Sequence, residues 1–159
     1  MNPPAPAEGP PLLHLQGGRA TLTLNRPTHH NRLHVDDLLA LQQHFRALRD
    51  DPAVRLLVIT GTGRSFCSGF HLGDFDNQPA KPGAGPRLFE ETVDALEALP
   101  LPTVCRLNGS VFGGATDLAL ACDFRVGVQG MVLRMPAARL GLHYYPSGLQ
   151  RYVTRLGLA

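Results

Sequence analysis

Two glycine-rich turns are the parts of this sequence where the backbone itself could do chemistry. The first lies in "GTGRSFCSGFHL", residues 61–72, directly after a run of apolar residues. Its spacing does not fit a dinucleotide fingerprint, because Phe66 stands where that motif has its third glycine. No Lys-Ser or Lys-Thr pair follows, so the stretch does not fit a P-loop either. It predicts a bare backbone bend at residues 68–70, just past a strand.

The second turn lies in "LNGSVFGGATDLALACD", after a strand that ends at Leu107. Gly113 and Gly114 open a helix, whose first N–H groups carry partial positive charge and have no partner within the helix. Glycine lets a ligand oxygen approach such amides closely. If an amide of the first turn meets the same oxygen, the pair forms an oxyanion hole for a carbonyl that gains charge during a reaction. The alternative is that both turns only let strands and helices pack.

Asp117 is the acid closest in sequence to these turns. It lies three residues after Gly114, in the first turn of a helix that is otherwise apolar. A carboxylate there either stabilises the helix dipole or handles a proton beside the oxyanion site. The position alone leaves both alternatives open.

Composition and charge exclude several other classes of protein. The chain has 159 residues, of which 43% are hydrophobic and 18% are charged, and its net charge is +2. It carries no basic block typical of nucleic-acid binding and no segment long and apolar enough for a membrane span. Cys67, Cys105 and Cys122 lack metal-binding spacing, so we expect no metal site and a reducing, cytoplasmic environment.

The chain length predicts one domain with a substantial core. The first residues, "MNPPAPAEGPP", lack the regions of a signal peptide and read as a disordered, proline-rich tail over residues 1–11. The expected core domain is therefore residues 12–159.

Alternating strands and helices must position the two turns. The stretch "LLHLQGGRATLTLNRP" predicts two strands about a glycine turn, and "VRLLVITG" predicts a buried strand of a parallel sheet. Apolar residues recur at helical spacing in "VDDLLALQQHFRALRDDP" and "RLFEETVDALEALP". Further strands are expected at "PTVCRLNG", "FRVGV" and "VLRMP", and further helices at "GGATDLALACD" and "PSGLQRYVTRLG". The polar stretch "GDFDNQPAKPGAGP" is expected to be a loop that could act as a lid. This alternation predicts a layered α/β fold with parallel strands.

Four segments in order resemble the enoyl-CoA hydratase/isomerase family, also called the crotonase superfamily. They are "LTLNRP…NRL", "VITGTGRSFCSGFHL", "LPTVCRLNGSVFGGATDLALACDFRV" and "MPAARLGLHYYPSGLQRYVTRLG". The resemblance implies a crotonase-like layered β-β-α spiral core. It also implies that this chain lacks the C-terminal helices with which family members continue. Family members form trimers or paired trimers, so a homotrimer or hexamer is expected.

The resemblance also implies roles for individual residues. The amides of Phe70 and Gly114 would form the oxyanion hole for a thioester, and Asp117 would transfer a proton. The coenzyme A part of the substrate would lie along residues 70–73, that is Phe70, His71, Leu72 and Gly73, and beside Gly114. No cofactor is expected other than coenzyme A as part of the substrate.

This sequence departs from the family pattern at its acids. Hydratases of the family use two glutamates; here the first position holds Asp117 and the second holds Ala137, which cannot exchange a proton. A later acid position, used by the family's dienoyl isomerases, falls on Tyr145. Tyr145, or its neighbours His143 and Tyr144, could serve as acid or relay, although such residues also pack structurally.

The expected function is therefore that of an acyl-CoA lyase or isomerase, through double-bond isomerisation or hydration of an enoyl-CoA. A single acid suits isomerisation better than hydration, because one group can remove and return the same proton. Two alternatives remain open, namely a degenerate acyl-CoA-binding or scaffold protein and an acyl-CoA thioester hydrolase.

Overall fold

The computed structural model describes residues 7–71, 73 and 86–158. The strands are β1 (Gly9–Gln16), β2 (Arg19–Asn25), β3 (Leu56–Gly61), β4 (Ser65–Cys67), β5 (Thr103–Leu107), β6 (Ser110–Phe112), β7 (Phe124–Gly127) and β8 (Leu133–Arg134). The helices are α1 (Val35–Arg49), α2 (Pro86–Glu97), α3 (Ala115–Ala121) and α4 (Pro146–Leu156), with 3-10 turns at Pro27–His29 and Ala137–Leu140.

Two sheets carry the strands. The larger sheet has the order β1-β2-β3-β5-β7, in which β1 pairs antiparallel with β2 and each later neighbour pairs parallel. The smaller sheet has the order β4-β6-β8 and is parallel throughout. The alternation of strand and helix that the sequence predicts is thus observed, and parallel strands joined by helices form the layered α/β arrangement.

The first strand begins earlier than the sequence predicted. β1 starts at Gly9, which pairs with Asn25, and the Asn25 side-chain amide donates to the carbonyl of Ala7 over 2.8 Å. The boundary at residue 11 is therefore corrected, because backbone pairing with β2 orders a stretch whose proline content had suggested a tail. Residues 1–6 lie outside the described residues.

The core forms where α1 packs against the larger sheet and against α2. The apolar stripe predicted for α1 is buried at Leu38, Leu41, Phe45 and Leu48. The β3 residues Leu57 and Ile59 are fully buried, as expected for a central strand of a parallel sheet. The smaller sheet and its turns pack against this layer.

The smaller sheet positions the two glycine turns. β4 and β6 are only three residues long, and the sequence had predicted turns rather than strands there. They pair in parallel, Ser65 with Ser110 and Cys67 with Val111. Because parallel neighbours end at the same edge of a sheet, the turns that follow them lie side by side.

Two other predictions concern the surface. The proposed lid loop falls almost entirely on residues outside the described part of the chain. No helix among the described residues is both long and apolar enough to cross a bilayer.

Candidate active site

The two glycine turns touch each other. Gly69, after β4, has φ +100°, and Gly113, after β6, has φ +58°. A methyl group placed on Gly69 would lie 2.9 Å from the carbonyl oxygen of Phe112 and 3.3 Å from the nitrogen of Gly114. Both the positive φ and the close backbone approach therefore require glycine at position 69.

The orientation of the first turn follows from a short bridge to Leu33. The Leu33 N–H donates to the Gly69 carbonyl, and the His71 N–H donates to the Leu33 carbonyl, each over 2.9 Å. In such a parallel bridge the N–H of the intervening residue, Phe70, points away from Leu33. In the second turn, no residue in the described part of the chain accepts a hydrogen bond from the Gly114 N–H.

A cavity of about 200 Å³ opens at the two turns, and Phe70, Gly113 and Gly114 are part of its wall. Most of the wall is apolar and comes from Phe70, Phe89, Phe112, Met135, Leu140 and Leu142. Polar groups come from Ser68, His143, Tyr144 and Tyr145. A mostly apolar concave surface with a few convergent polar groups is the usual form of a small-molecule site.

Asp117 lies behind this wall. Its side chain is fully buried, and its carboxylate accepts two hydrogen bonds from Arg151, over 2.8 Å to Oδ1 and 2.9 Å to Oδ2. The Tyr145 hydroxyl also donates to Oδ2. Asp117 is not among the described residues that form the cavity wall, and its hydrogen bond to Tyr145 connects it to that wall.

Arg151 is a site residue that sequence reasoning missed. Its side chain is only 2% exposed, and its Nη1 also pairs with Asp94 at 2.7 Å and Glu97 at 2.8 Å. Burial alone would lower the pKa of Arg151, but hydrogen bonds to Asp117, Asp94 and Glu97 raise it, so the guanidinium stays charged. The only signal in the sequence is the spacing of Asp94 and Glu97 on one face of α2, which does not identify the arginine that they bind.

The tyrosines form a stacked group at the cavity. The Tyr144 and Tyr145 rings stack with centroids 4.6 Å apart, and Phe89 meets Tyr145 edge-on at 6.3 Å. Burial raises the pKa of Tyr145, and the neighbouring charge of Asp117 raises it further, so the phenol keeps its proton. The buried Tyr144 hydroxyl has no hydrogen-bond partner among the described residues.

The remaining predicted residues lie at or near the first turn. The His71 ring contacts the His34 ring at a centroid distance of 4.8 Å, and a methyl placed on Gly73 would lie 2.9 Å from His71 Nε2. Leu72 lies outside the described residues. Ala137 is part of the cavity wall, so its methyl faces the space where a second acid would act.

The structure thus brings Phe70, Gly114 and Tyr145 to one cavity and leaves Asp117 one residue removed from it. Among the described residues, no cluster of three His, Cys, Asp or Glu side chains is arranged to hold a metal ion. The groups that line the cavity can supply backbone hydrogen bonds, apolar contacts and proton transfer by tyrosine or histidine side chains.

Comparison with known proteins gives consistent matches. A sequence profile of the enoyl-CoA hydratase/isomerase family matches residues 15–159. The chain is 35% identical over 143 residues to crotonyl-CoA hydratase from Syntrophomonas wolfei, covering 87% of this chain and 54% of that protein. It is 32% identical over 136 residues to 1,2-epoxyphenylacetyl-CoA isomerase from Escherichia coli, covering 82% of this chain and 52% of that protein.

Solved structures agree with the sequence matches. The crystal structure of an enoyl-CoA hydratase from Polaromonas sp. JS666 superimposes with a TM-score of 0.82 at 27% identity, covering 93% of this chain and 59% of that one. The expected crotonase-like fold is confirmed by this likeness. The chain spans about half the length of the curated relatives it matches, at 54% and 52% of theirs.

Proposed function

The chain belongs to the enoyl-CoA hydratase/isomerase family, and from that premise we propose that it binds an enoyl-CoA thioester and shifts its double bond. The observation that carries the proposal is the contact between the two glycine turns at an apolar cavity. Both the aromatic wall and the adjacent backbone amides suit an apolar acyl chain that ends in a thioester carbonyl.

In this proposal the carbonyl oxygen lies between the Phe70 and Gly114 amides. Removal of a proton from the α carbon turns the thioester into an enolate, and the charge that develops on oxygen is stabilised by the two donors. Loss of one such donor costs roughly 3–4 kcal/mol of transition-state stabilisation in comparable sites. Coenzyme A would extend from the cavity along residues 70–73.

Proton transfer is assigned to Tyr145 together with Asp117. The α C–H bond breaks, its proton passes to the Tyr145 oxygen, and the phenolic proton moves along the existing hydrogen bond to Asp117. The dienolate then takes a proton back at the γ carbon, and both transfers reverse. No proton is gained or lost overall, so the second acid that Ala137 cannot supply is not needed for isomerisation.

A second candidate is acyl-CoA binding without turnover. It is favoured by the Arg151 contacts, because both carboxylate oxygens of Asp117 are already engaged by the guanidinium. Such a protein would bind a thioester in the same cavity and polarise it without moving the double bond.

One assay separates these candidates. The protein is mixed with 2-enoyl-CoA and with 3-enoyl-CoA, and the absorbance of the conjugated thioester is followed beside a direct binding titration. We expect saturable binding by both wild type and Asp117→Asn, and isomerisation by wild type only. Turnover that survives Asp117→Asn would remove Asp117 from the mechanism, and binding without any turnover would favour the second candidate.

A further inference from the structure

A buried charge cluster lies directly behind the cavity wall. We call it the Arg151 cluster, and it consists of Arg151 on α4, Asp117 on α3, and Asp94 and Glu97 on α2. Arg151 and Asp117 are 2% and 0% exposed, whereas the side chains of Asp94 and Glu97 are 42% and 41% exposed. The cluster is therefore buried at Asp117 and partly exposed to solvent at α2.

The arginine fixes the carboxylate in place. Arg151 Nε binds Asp117 Oδ1 and Arg151 Nη2 binds Oδ2, which is the bidentate arrangement that a planar guanidinium favours. From the other side, Asp94 and Glu97 hold Arg151 Nη1 at 2.7 and 2.8 Å. Because both ends of the guanidinium are occupied, Asp117 cannot rotate without breaking several charged hydrogen bonds.

The fixed carboxylate in turn determines where Tyr145 lies. The Tyr145 hydroxyl donates to Asp117 Oδ2, and the Arg151 guanidinium carbon lies 5.9 Å from the centre of the Tyr145 ring. Phe89 and Tyr144 also contact the ring, edge-on and stacked respectively. The Tyr145 side chain is thus held both by the charged cluster and by aromatic contacts.

We propose that Arg151 is a positioning residue for the reaction: it fixes Asp117 as the permanent acceptor of the Tyr145 hydroxyl, so that Tyr145, and not Asp117, meets the substrate. The proposal rests on the proposed function and deepens it. With the Tyr145–Asp117 hydrogen bond held in one geometry, a proton can leave and return by the same path, which suits a double-bond shift in which the proton goes back to the substrate.

A purely structural role for the pair makes a different prediction. Removing one partner of a buried ion pair is strongly destabilising, whereas replacing both with apolar side chains of similar size is often neutral. Arg151→Lys separates the two roles, because lysine keeps the buried positive charge but cannot make the two parallel hydrogen bonds to Asp117. If Arg151 served only the fold, Arg151→Lys would keep both stability and activity. If it positions Tyr145 through Asp117, Arg151→Lys stays folded and its activity falls.

The test compares Arg151→Met, Arg151→Lys and Tyr145→Phe. Urea unfolding measures stability, and kcat and KM are measured with 3-enoyl-CoA. We expect Arg151→Lys to keep most of the stability that Arg151→Met loses, while kcat in all three falls by roughly 100-fold with little change in KM. The control is Arg155→Met, since Arg155 is exposed on the same helix; its kcat should equal that of wild type.

A spectroscopic readout does not depend on turnover. The Tyr145 hydroxyl proton, which is hydrogen-bonded to Asp117, should give its own NMR resonance, absent from Tyr145→Phe. We expect this resonance to shift or disappear in the folded Arg151→Lys variant, which keeps Asp117, and to persist unchanged in Arg155→Met.

A wild-type kcat in Arg151→Lys, or an unchanged resonance there, would overturn the inference. If wild type binds 3-enoyl-CoA without converting it, the proposed reaction fails instead. The resonance alone then decides whether Arg151 positions Tyr145.

Discussion

At the residue scale, Gly69 meets two separate constraints. Its φ of +100° disfavours any residue with a side chain, and a methyl there would also press on the backbone at Phe112 and Gly114. The first constraint concerns stability, and the second concerns the position of the amide that we assign to the oxyanion hole. A matched glycine elsewhere in the chain separates them.

We expect Gly69→Ala to lose acyl-CoA binding and turnover, and to lose roughly 1–3 kcal/mol of unfolding free energy through its strained φ. Gly130 is the control, because its φ is +80° but a methyl there meets no atom within 4 Å. Gly130→Ala should lose similar stability and retain binding. Calorimetric titration with an enoyl-CoA measures binding, and urea unfolding measures the unfolding free energy. Equal binding by the two variants would contradict the proposed geometry.

Cys67 gives a prediction about pH. Its thiol is fully buried next to the first glycine turn, where it donates to the Asn31 carbonyl, and burial raises its pKa from 9.0 to about 12. Between these values the folded state keeps a proton that the unfolded state has lost. The free energy of unfolding therefore falls as pH rises through this window, by about 1.4 kcal/mol per pH unit.

Urea unfolding of wild type and Cys67→Ala from pH 8 to 11 measures this effect. We expect wild type to lose stability relative to Cys67→Ala above pH 9, and the native thiol to resist thiol reagents at pH 8. A constant difference between the two proteins across this range would show that the thiol titrates normally in the folded state.

At the scale of secondary-structure elements, α4 packs against two tyrosines of the cavity wall through a glycine. A methyl on Gly148 would lie 2.3 Å from Tyr144 Cε1 and 2.9 Å from Tyr145 Cε2. Helix propensity alone favours alanine over glycine by about 1 kcal/mol. Overlap with two confined rings outweighs that preference, so the helix can approach the tyrosines only with glycine at this position.

We therefore expect Gly148→Ala to lower the unfolding free energy by about 1–3 kcal/mol, in the range for overpacked sites, and to weaken acyl-CoA binding by moving Tyr144. Leu149→Ala is the control, because Leu149 is exposed on the same helix. It should change neither quantity appreciably. Thermal unfolding and a binding titration test both, and a stabilised Gly148→Ala would show that the helix shifts without cost.

Sequence patterns predict the long elements well and the short ones poorly. The repeat of Leu38, Leu41 and Phe45 gives α1 because burial on one helix face is a local property. β4 and β6 have too few residues for alternation to be visible, and pairing between them creates the strands. Arg151 could not be found because its three acidic partners come from two other helices.

The site itself was predicted in part by resemblance. The sequence identified Phe70, Gly114 and Tyr145, which the structure places on one cavity wall. It also identified Asp117, but it did not identify the ion pair with Arg151 that holds this carboxylate outside the cavity wall. Their assigned roles remain predictions for the experiments above.

At the scale of the whole molecule, the far edge of the larger sheet is apolar. Phe124 and Val126 on β7 alternate along the strand, so they share one face, and each is 61% exposed. Val128 continues this face just beyond the strand. Exposed apolar patches beside an edge strand are typical of surfaces that associate.

We expect sedimentation equilibrium to show a trimer or hexamer rather than a monomer. Phe124→Ser with Val126→Thr should shift the population toward monomer. Leu39→Ser is the control, since Leu39 is also an exposed apolar residue, at 52%, but lies on α1. A monomeric wild type, or equal effects of the two changes, would contradict association through β7.

The order of the larger sheet has a consequence for how the chain is made. After the initial hairpin, β3, β5 and β7 each join the outer side of the strand that precedes them in this sheet. A nascent chain leaving the ribosome can therefore add strands one after another, without waiting for a later segment to insert between earlier ones. Synthesis and folding can proceed in the same direction, because each new strand adds at the edge of the sheet.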